Sequence, residues 1–232
     1  MNLESLTKQL IQIESISPND AGCFDILESI LEGMNFSCER ISYKNVENLY
    51  AVIGSQGPTL CFLGHTDVVP TGPSDQWTYP PFSGETHDDH IYGRGAADMK
   101  GNICAFVEAL GSFLKTEKLN YRIAILLTSN EEGTPEDGFI DELLKELKSR
   151  GETIDYCLVG EPSSSLKVAD TIRIGRRGSL SGKLKIIGKQ GHIAYPEKII
   201  NPIFLVTDLI KILKEKKWDS GNEHFQPTSF QI

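Results

Sequence analysis

The chain has 232 residues, 39% of them hydrophobic and 24% charged, with a formal net charge of −9. That balance belongs to a globular protein with a real core and excludes an intrinsically disordered chain. The acidic sign, with no stripe of Lys and Arg, also excludes a nucleic-acid partner.

At the start, Leu3, Leu6, Leu10 and Ile13 make a helical stripe rather than a signal core, which predicts a helix over 3–15. A second amphipathic helix is predicted over 24–34. Residues 48–54, 59–63, 122–128 and 155–159 read as buried strands. Helical spacing fills 100–117 and 136–149, with Ile103, Phe106, Val107, Leu110 and Leu114 on one face. Helices set between apolar strands predict an α/β architecture: a mixed sheet with helices on both faces. The segment 65–99 is too long for an ordinary connection; its clusters Gln76-Trp77-Thr78-Tyr79 and His90-Ile91-Tyr92 predict that it packs down.

After Glu161-Pro162 the texture changes. Residues 166–174 and 180–187 alternate as antiparallel strands with one exposed face would. A loop, GKQGHIAYP, leads to a predicted helix over 202–214, and 228–232 reads as the start of another strand. The expected organisation is a first domain over 1–177 and a smaller α+β domain over 178–232. No apolar run approaches the ~20 residues of a membrane span. The cysteines (Cys23, Cys38, Cys61, Cys104, Cys157) are scattered and never in a Cys-x-x-Cys arrangement. They speak against a disulfide framework or a thiolate zinc site and for a reducing compartment, so a cytoplasmic location is expected.

Chemistry gathers where the predicted strands end. The strand over 59–63 delivers Gly64-His65-Thr66-Asp67, and the long loop ends at GRGAADMK with Asp98 just before a helix. The next strand ends at Glu131-Glu132-Gly133, and the last at Glu161-Pro162. Taken singly, each has a plain reading: a polar hairpin corner, a helix N-cap, a solvated strand end, a turn before proline. Together they place an imidazole and several carboxylates at the carboxyl ends of strands in one sheet, where functional groups collect. Such carboxylates repel one another unless cations neutralise them, and oxygen ligands with imidazole suit zinc, or manganese and cobalt in the same geometry. A carboxylate able to bridge points to a two-metal site. Glu131 and Glu132, being adjacent, divide their roles: one ligates and the other handles protons. Asp67 is too close to His65 to ligate the same ion independently, and is expected to accept its other ring N–H.

GHTDVVPTG, GRGAADMKG, EEG and GEPS, in this order, resemble the zinc aminoacylase/carboxypeptidase family of co-catalytic metallohydrolases. The resemblance implies that His65 and Glu161 hold one zinc and Glu132 the other, with Asp98 bridging; cobalt would also suit the second position. It implies that Glu131 is the general acid/base and that Asp67 orients His65. The smaller domain would be a dimerisation or lid domain, placing His192 against the scissile carbonyl in a partner subunit's site. Arg176, Ser179 and Tyr195 would contact substrate carboxylates. The implied reaction is amide hydrolysis by a zinc-activated water on a small molecule, in a homodimer. Asn130 stands where the family commonly has an aspartate, at a position that does not ligate. In the family the chain returns to the catalytic sheet after the smaller domain and brings a final histidine ligand. The sequence stops at Ile232, and His87, His90 and His224 are not in a matching context. A chain lacking the C-terminal part, with little or no activity of its own, is therefore the expectation. The metal residues alone do not separate an N-acyl-amino-acid hydrolase from a dipeptidase, and a non-catalytic metal-binding fragment is the reading from a different class.

Overall fold

The computed structural model describes residues 2–134 and 140–232. The chain divides into two units, Met1–Asp170 and Thr171–Ile232.

The first unit is built on a five-stranded sheet. Its strands are β1 (Ser37–Tyr43), β2 (Val46–Ile53), β3 (Thr59–His65), β6 (Arg122–Thr128) and β7 (Tyr156–Val159), in the order β1-β2-β6-β3-β7. The β1–β2 and β2–β6 pairs are antiparallel, whereas β3 runs parallel to both β6 and β7. Outside the sheet, β4 (Glu85–His87) and β5 (His90–Tyr92) form a hairpin whose turn residues Asp88 and Asp89 both have positive φ, as the tight hairpin turn of that hand demands. The long segment does pack down: Tyr79 stacks on His87, and Arg94 lies over Trp77.

Period-2 alternation gives the sheet two apolar faces. Ile123, Ile125 and Leu127 of β6, with Leu49, Ala51 and Phe62, meet α1 (Leu3–Ile11), α2 (Cys23–Gly33) and α3 (Gly101–Thr116). Ala124 and Leu126, with Tyr50 and Cys61, meet Leu143 and Leu147 of α4 (Ile140–Ser149) on the other side. Helices therefore cover both faces, as expected. Residues 136–139 of the fourth predicted helix lie outside the described residues.

One helix end and one whole strand depart most from the sequence reading. Helix α1 ends at Ile11, because residues 15–17 turn to pair with Val68 beyond the end of β3 (Val68 N–H to Ser15 O at 2.9 Å, Ser17 N–H to Val68 O at 3.2 Å). Strand β1 was not foreseen, since only Ile41 of its residues is buried; its pairing with β2 makes it a strand.

The chain leaves β3, crosses through α3 to β6 on one side, and returns through α4 to β7 on the other. The carboxyl ends of β3, β6 and β7 therefore open at a switch point of the sheet, the place where α/β folds bind ligands.

In the second unit, Asn201 caps α5 (Pro202–Glu215), its Oδ1 accepting the Ile203 N–H at 2.9 Å, and Pro202 sits where a missing donor costs nothing. Trp218 and Phe230 bring their rings to 5.4 Å, and Arg177 donates to the Pro227 carbonyl at 3.0 Å. The strands expected over 180–187 and 228–232, and over 166–174 spanning the unit boundary, are absent; the pairing within this unit is the single bridge Lys189–Ile200. Ile174 and Leu180 are fully exposed. Alternation supplies a strand with a face but not with a neighbour, and a strand pair without a third strand or a packed helix is marginal.

Candidate metal centre

Strand β3 carries the centre's imidazole. His65 is buried, and its backbone N–H points at the Met99 sulfur at 3.3 Å. Met99 reaches that position because Gly64 and Gly160 have no side chains: a Cβ on either would come within 2.7 and 2.6 Å of the Met99 methyl.

The ring of His65 is fixed at both nitrogens. Nδ1 lies 2.9 Å from the main-chain oxygen of Asp67 and 3.4 Å from its Oδ1. A carbonyl oxygen only accepts, so Nδ1 carries the proton. Nε2 then faces Asp98 Oδ1 at 3.1 Å and Glu161 Oε1 at 3.4 Å. Lone pairs facing lone pairs need a proton or a cation between them. Burial works against a charged His65, but hydrogen bonds with Asp67 and Glu161 and their charges more than reverse it, pushing its pKa up to about 11.

Asp67 does more than hold the ring. Its Oδ1 accepts the Glu131 N–H at 3.0 Å and its Oδ2 accepts the Glu132 N–H at 3.1 Å, while the Ser17 hydroxyl also donates to Oδ2. Burial penalises its charge, yet hydrogen bonds from His65, Ser17 and the Glu131 amide hold its pKa below the ordinary value. One fully buried carboxylate thus brackets the two glutamates that follow β6.

Asp98 lies in a turn over Ala96–Lys100 that leaves helical geometry at Asp98 and Met99; Lys100, not Asp98, is the N-cap residue of α3. The turn is anchored by Lys100, whose buried ammonium donates to the Leu10 and Ile13 carbonyls, each at 2.8 Å, at the end of α1. That is a favourable place for a cation beside a helix's last carbonyls. Glu161 is held from the other side, where Asn102 of α3 donates to the Gly160 carbonyl at 2.6 Å. Asn130 sits buried in the loop after β6 and donates to the Thr134 carbonyl at 3.2 Å.

The result is two overlapping groups, His65–Asp98–Glu132 and His65–Glu131–Glu161, each with its ligand atoms within 4.8 Å of one another. Burial is the largest cause of raised pKa at Asp98, Glu131 and Glu132, and neighbouring carboxylates reinforce it at all three. Such groups resist ionising together, and a divalent cation reverses that. One imidazole nitrogen among carboxylate oxygens is also a donor set that zinc accepts. The residues present fit a metal.

Sequence reasoning named His65, Asp67, Asp98, Glu131, Glu132 and Glu161, and the structure brings these together. It missed Ser17 and Lys100 as supports. Lys100 had one signal, its place two residues after Asp98; Ser17, in a short loop, had none. His192, Arg176, Ser179 and Tyr195 belong to the second unit. There His192 and Tyr195 share a turn (ring centroids 6.1 Å apart), and Arg176 and Ser179 are exposed.

The chain is similar to known proteins. The chain is 51% identical to the succinyl-diaminopimelate desuccinylase of Methylobacillus flagellatus over 98% of its length and 60% of the relative's. It is 49% identical, with the same coverage of each chain, to the enzyme of that name from Alkalilimnicola ehrlichii. The chain thus spans about 60% of the length of the curated relatives it matches. Among solved structures, an M20 family metallo-carboxypeptidase from Sulfolobus solfataricus superposes with a TM-score of 0.71 at 21% identity, over 96% of this chain and 54% of the other. Human carnosine dipeptidase 1 gives 0.62 at 23% identity over 72% and 39%. These two share the fold. The description Peptidase family M20/M25/M40 matches residues 61–226, a stretch running from the strand that ends in His65 to beyond α5, and the chain belongs to that family.

Proposed function

We propose that this cluster is the metal centre of a hydrolase of the succinyl-diaminopimelate desuccinylase type. The reaction would cleave N-succinyl-LL-2,6-diaminopimelate to succinate and LL-2,6-diaminopimelate, in diaminopimelate and lysine biosynthesis. The observation that carries the reading is the His65 ring, its Nδ1 proton committed to Asp67 and its Nε2 turned to Asp98 and Glu161. The names of relatives about half identical over nearly the whole chain support the substrate.

In this reading His65 and Glu161 would hold one zinc and Glu132 the other, with Asp98 a ligand to both, and cobalt would suit the second position. Bound metal supplies Lewis acidity to water and to the scissile carbonyl. Glu131 takes the proton of the attacking water and delivers a proton to the leaving amine. Its partial burial raises its pKa, which suits a group that must keep that proton between the two steps. Asp67 fixes the His65 tautomer and sets the Glu131 backbone. The domain over 178–232 acts as lid and dimerisation element: His192 reaches the scissile carbonyl across a homodimer, and Ser179 and Tyr195, with Arg176 just before the domain, bind substrate carboxylates. Guanidinium–carboxylate pairing suits a substrate with several carboxylates. The scattered cysteines support a cytoplasmic setting, and no helix among the described residues is long and apolar enough to cross a membrane.

The test is succinate release from N-succinyl-LL-2,6-diaminopimelate with zinc or cobalt supplied, by this chain and by a form extended with a relative's C-terminal segment. Dipeptides and other N-acyl amino acids serve as competing substrates. In the extended form, Glu131→Gln should nearly abolish turnover with zinc content intact, and Glu132→Gln should lower zinc content. Loss of metal from Glu131→Gln, or faster cleavage of a dipeptide, would overturn the reading.

A further inference from the structure

Away from the carboxylates, the sheet sets two cysteines side by side. Cys61 of β3 and Cys157 of β7 are direct partners in the parallel register. Side chains of such partners leave the same face of the sheet, on strands about 4.8 Å apart, within the Cα separations of roughly 4.4–6.8 Å that a disulfide spans. Cys61 is buried against the α4 side of the sheet, whereas Cys157 lies on the outermost strand and is exposed.

We propose that this pair is a peroxide-sensitive modification site, at which Cys157 is oxidised first and Cys61 closes a disulfide between β3 and β7. The Cys157 thiolate attacks hydrogen peroxide; the O–O bond breaks, an S–O bond forms and hydroxide leaves, taking up a proton to become water. The Cys61 sulfur then displaces the hydroxyl from Cys157, its proton leaves with that hydroxyl as water, and the S–S bond forms. Two electrons leave the sulfurs, and both peroxide oxygens end as water when hydrogen peroxide is the oxidant.

The other cysteines are poorly suited. Burial pushes the thiols of Cys23, Cys38 and Cys104 up to about 11, and Cys23 and Cys104 are fully buried. Cys157 moves the other way, because a thiolate there accepts the Cys61 S–H. Thiolate character with solvent access selects the residue that reacts. The cross-link would join positions four residues before His65 and four before Glu161, fixing the spacing of two strand ends that face each other across the candidate centre. The proposal stands independently of the desuccinylase reading and is tested without any enzyme assay.

The experiment treats the reduced 232-residue chain with one equivalent of hydrogen peroxide, alkylates the remaining thiols after denaturation, and maps peptides by mass spectrometry. The expected product is a Cys61–Cys157 linked peptide, with Cys23, Cys38 and Cys104 alkylated. In Cys61→Ser the linked peptide should vanish, and dimedone should trap a sulfenic acid on Cys157. In Cys157→Ser, which keeps the buried position native, Cys61 should resist peroxide. Linkage through any other cysteine, sulfenic acid persisting on Cys157 in the unaltered chain, or equal oxidation of Cys61 in Cys157→Ser would overturn the proposal.

Discussion

The two units use apolar residues in opposite ways. In Met1–Asp170, β6 reads Arg-Ile-Ala-Ile-Leu-Leu-Thr and every residue from Ile123 to Thr128 is buried, because helices cover both faces of its sheet. In Thr171–Ile232, Ile172 and Ile174, and Leu180 and Leu184, fall on one face at strand spacing and are exposed. Periodicity is a statement about one face of a segment; burial is a statement about what that face meets.

The contrast is sharpest in hydrogen exchange. Amides of β2 and β6 open only with the fold, whereas the exposed amides in 172–187 need no opening. Protection factors should differ by about a thousandfold or more, and comparable rates would break the comparison. Truncation comes next. Ile125→Ala should cost about 2–5 kcal/mol in urea unfolding, through lost transfer energy and the cavity left behind. Ile174→Ala, at a fully exposed position, should stay within about 0.5 kcal/mol.

A third prediction turns from packing to polar support inside the first unit. Asp67→Asn keeps the main-chain carbonyl that holds His65 but offers one acceptor where two amides and a hydroxyl now donate. Zinc affinity measured by calorimetry should fall about 10–100-fold, with a smaller loss for Ser17→Ala. Unchanged affinity in Asp67→Asn would mean the bracket is not needed to hold the glutamates. The smallest effect lies in the Glu152–Arg122–Tyr50 group. Hydrogen bonding from Arg122 holds Glu152 below its ordinary value of 4.5, so its stabilisation is present above that pH and is lost as pH falls through the lower folded value. Glu152→Gln should therefore be less stable at neutral pH by about 0.5–1 kcal/mol, a gap that closes in acid. A gap that widened in acid would contradict the sign.

What was legible in the sequence follows the same division. Strands β3 and β6 were readable because burial on both faces removes polar alternation and leaves a short apolar run between breakers. Strand β1 was not, because Glu39 and Arg40 are exposed on its two opposite faces, which breaks any apolar pattern, and its identity comes from β2. The candidate ligands were readable because each stands at the carboxyl end of a strand or beside a glycine-rich turn. Ser17 was not: its partner Asp67 is 50 residues away, and no local pattern carries such a pairing. The strands expected beyond residue 166 show the converse error, in which a clean local pattern lacked a neighbour.

Strand β3 has one more consequence, for how this sequence tolerates insertion and deletion. Sheets with one wet face resist slippage because a one-residue shift would strand their apolar side in water. With Phe62 packed on one side and Cys61 on the other, β3 has no wet face to protect, so its frame is guarded by bulk and by chemistry instead. A residue gained or lost within Thr59–Gly64 would exchange a phenyl ring for a thiol on each side and carry the imidazole to the opposite surface. The strand would still be oily and still be buried, and the centre would be gone.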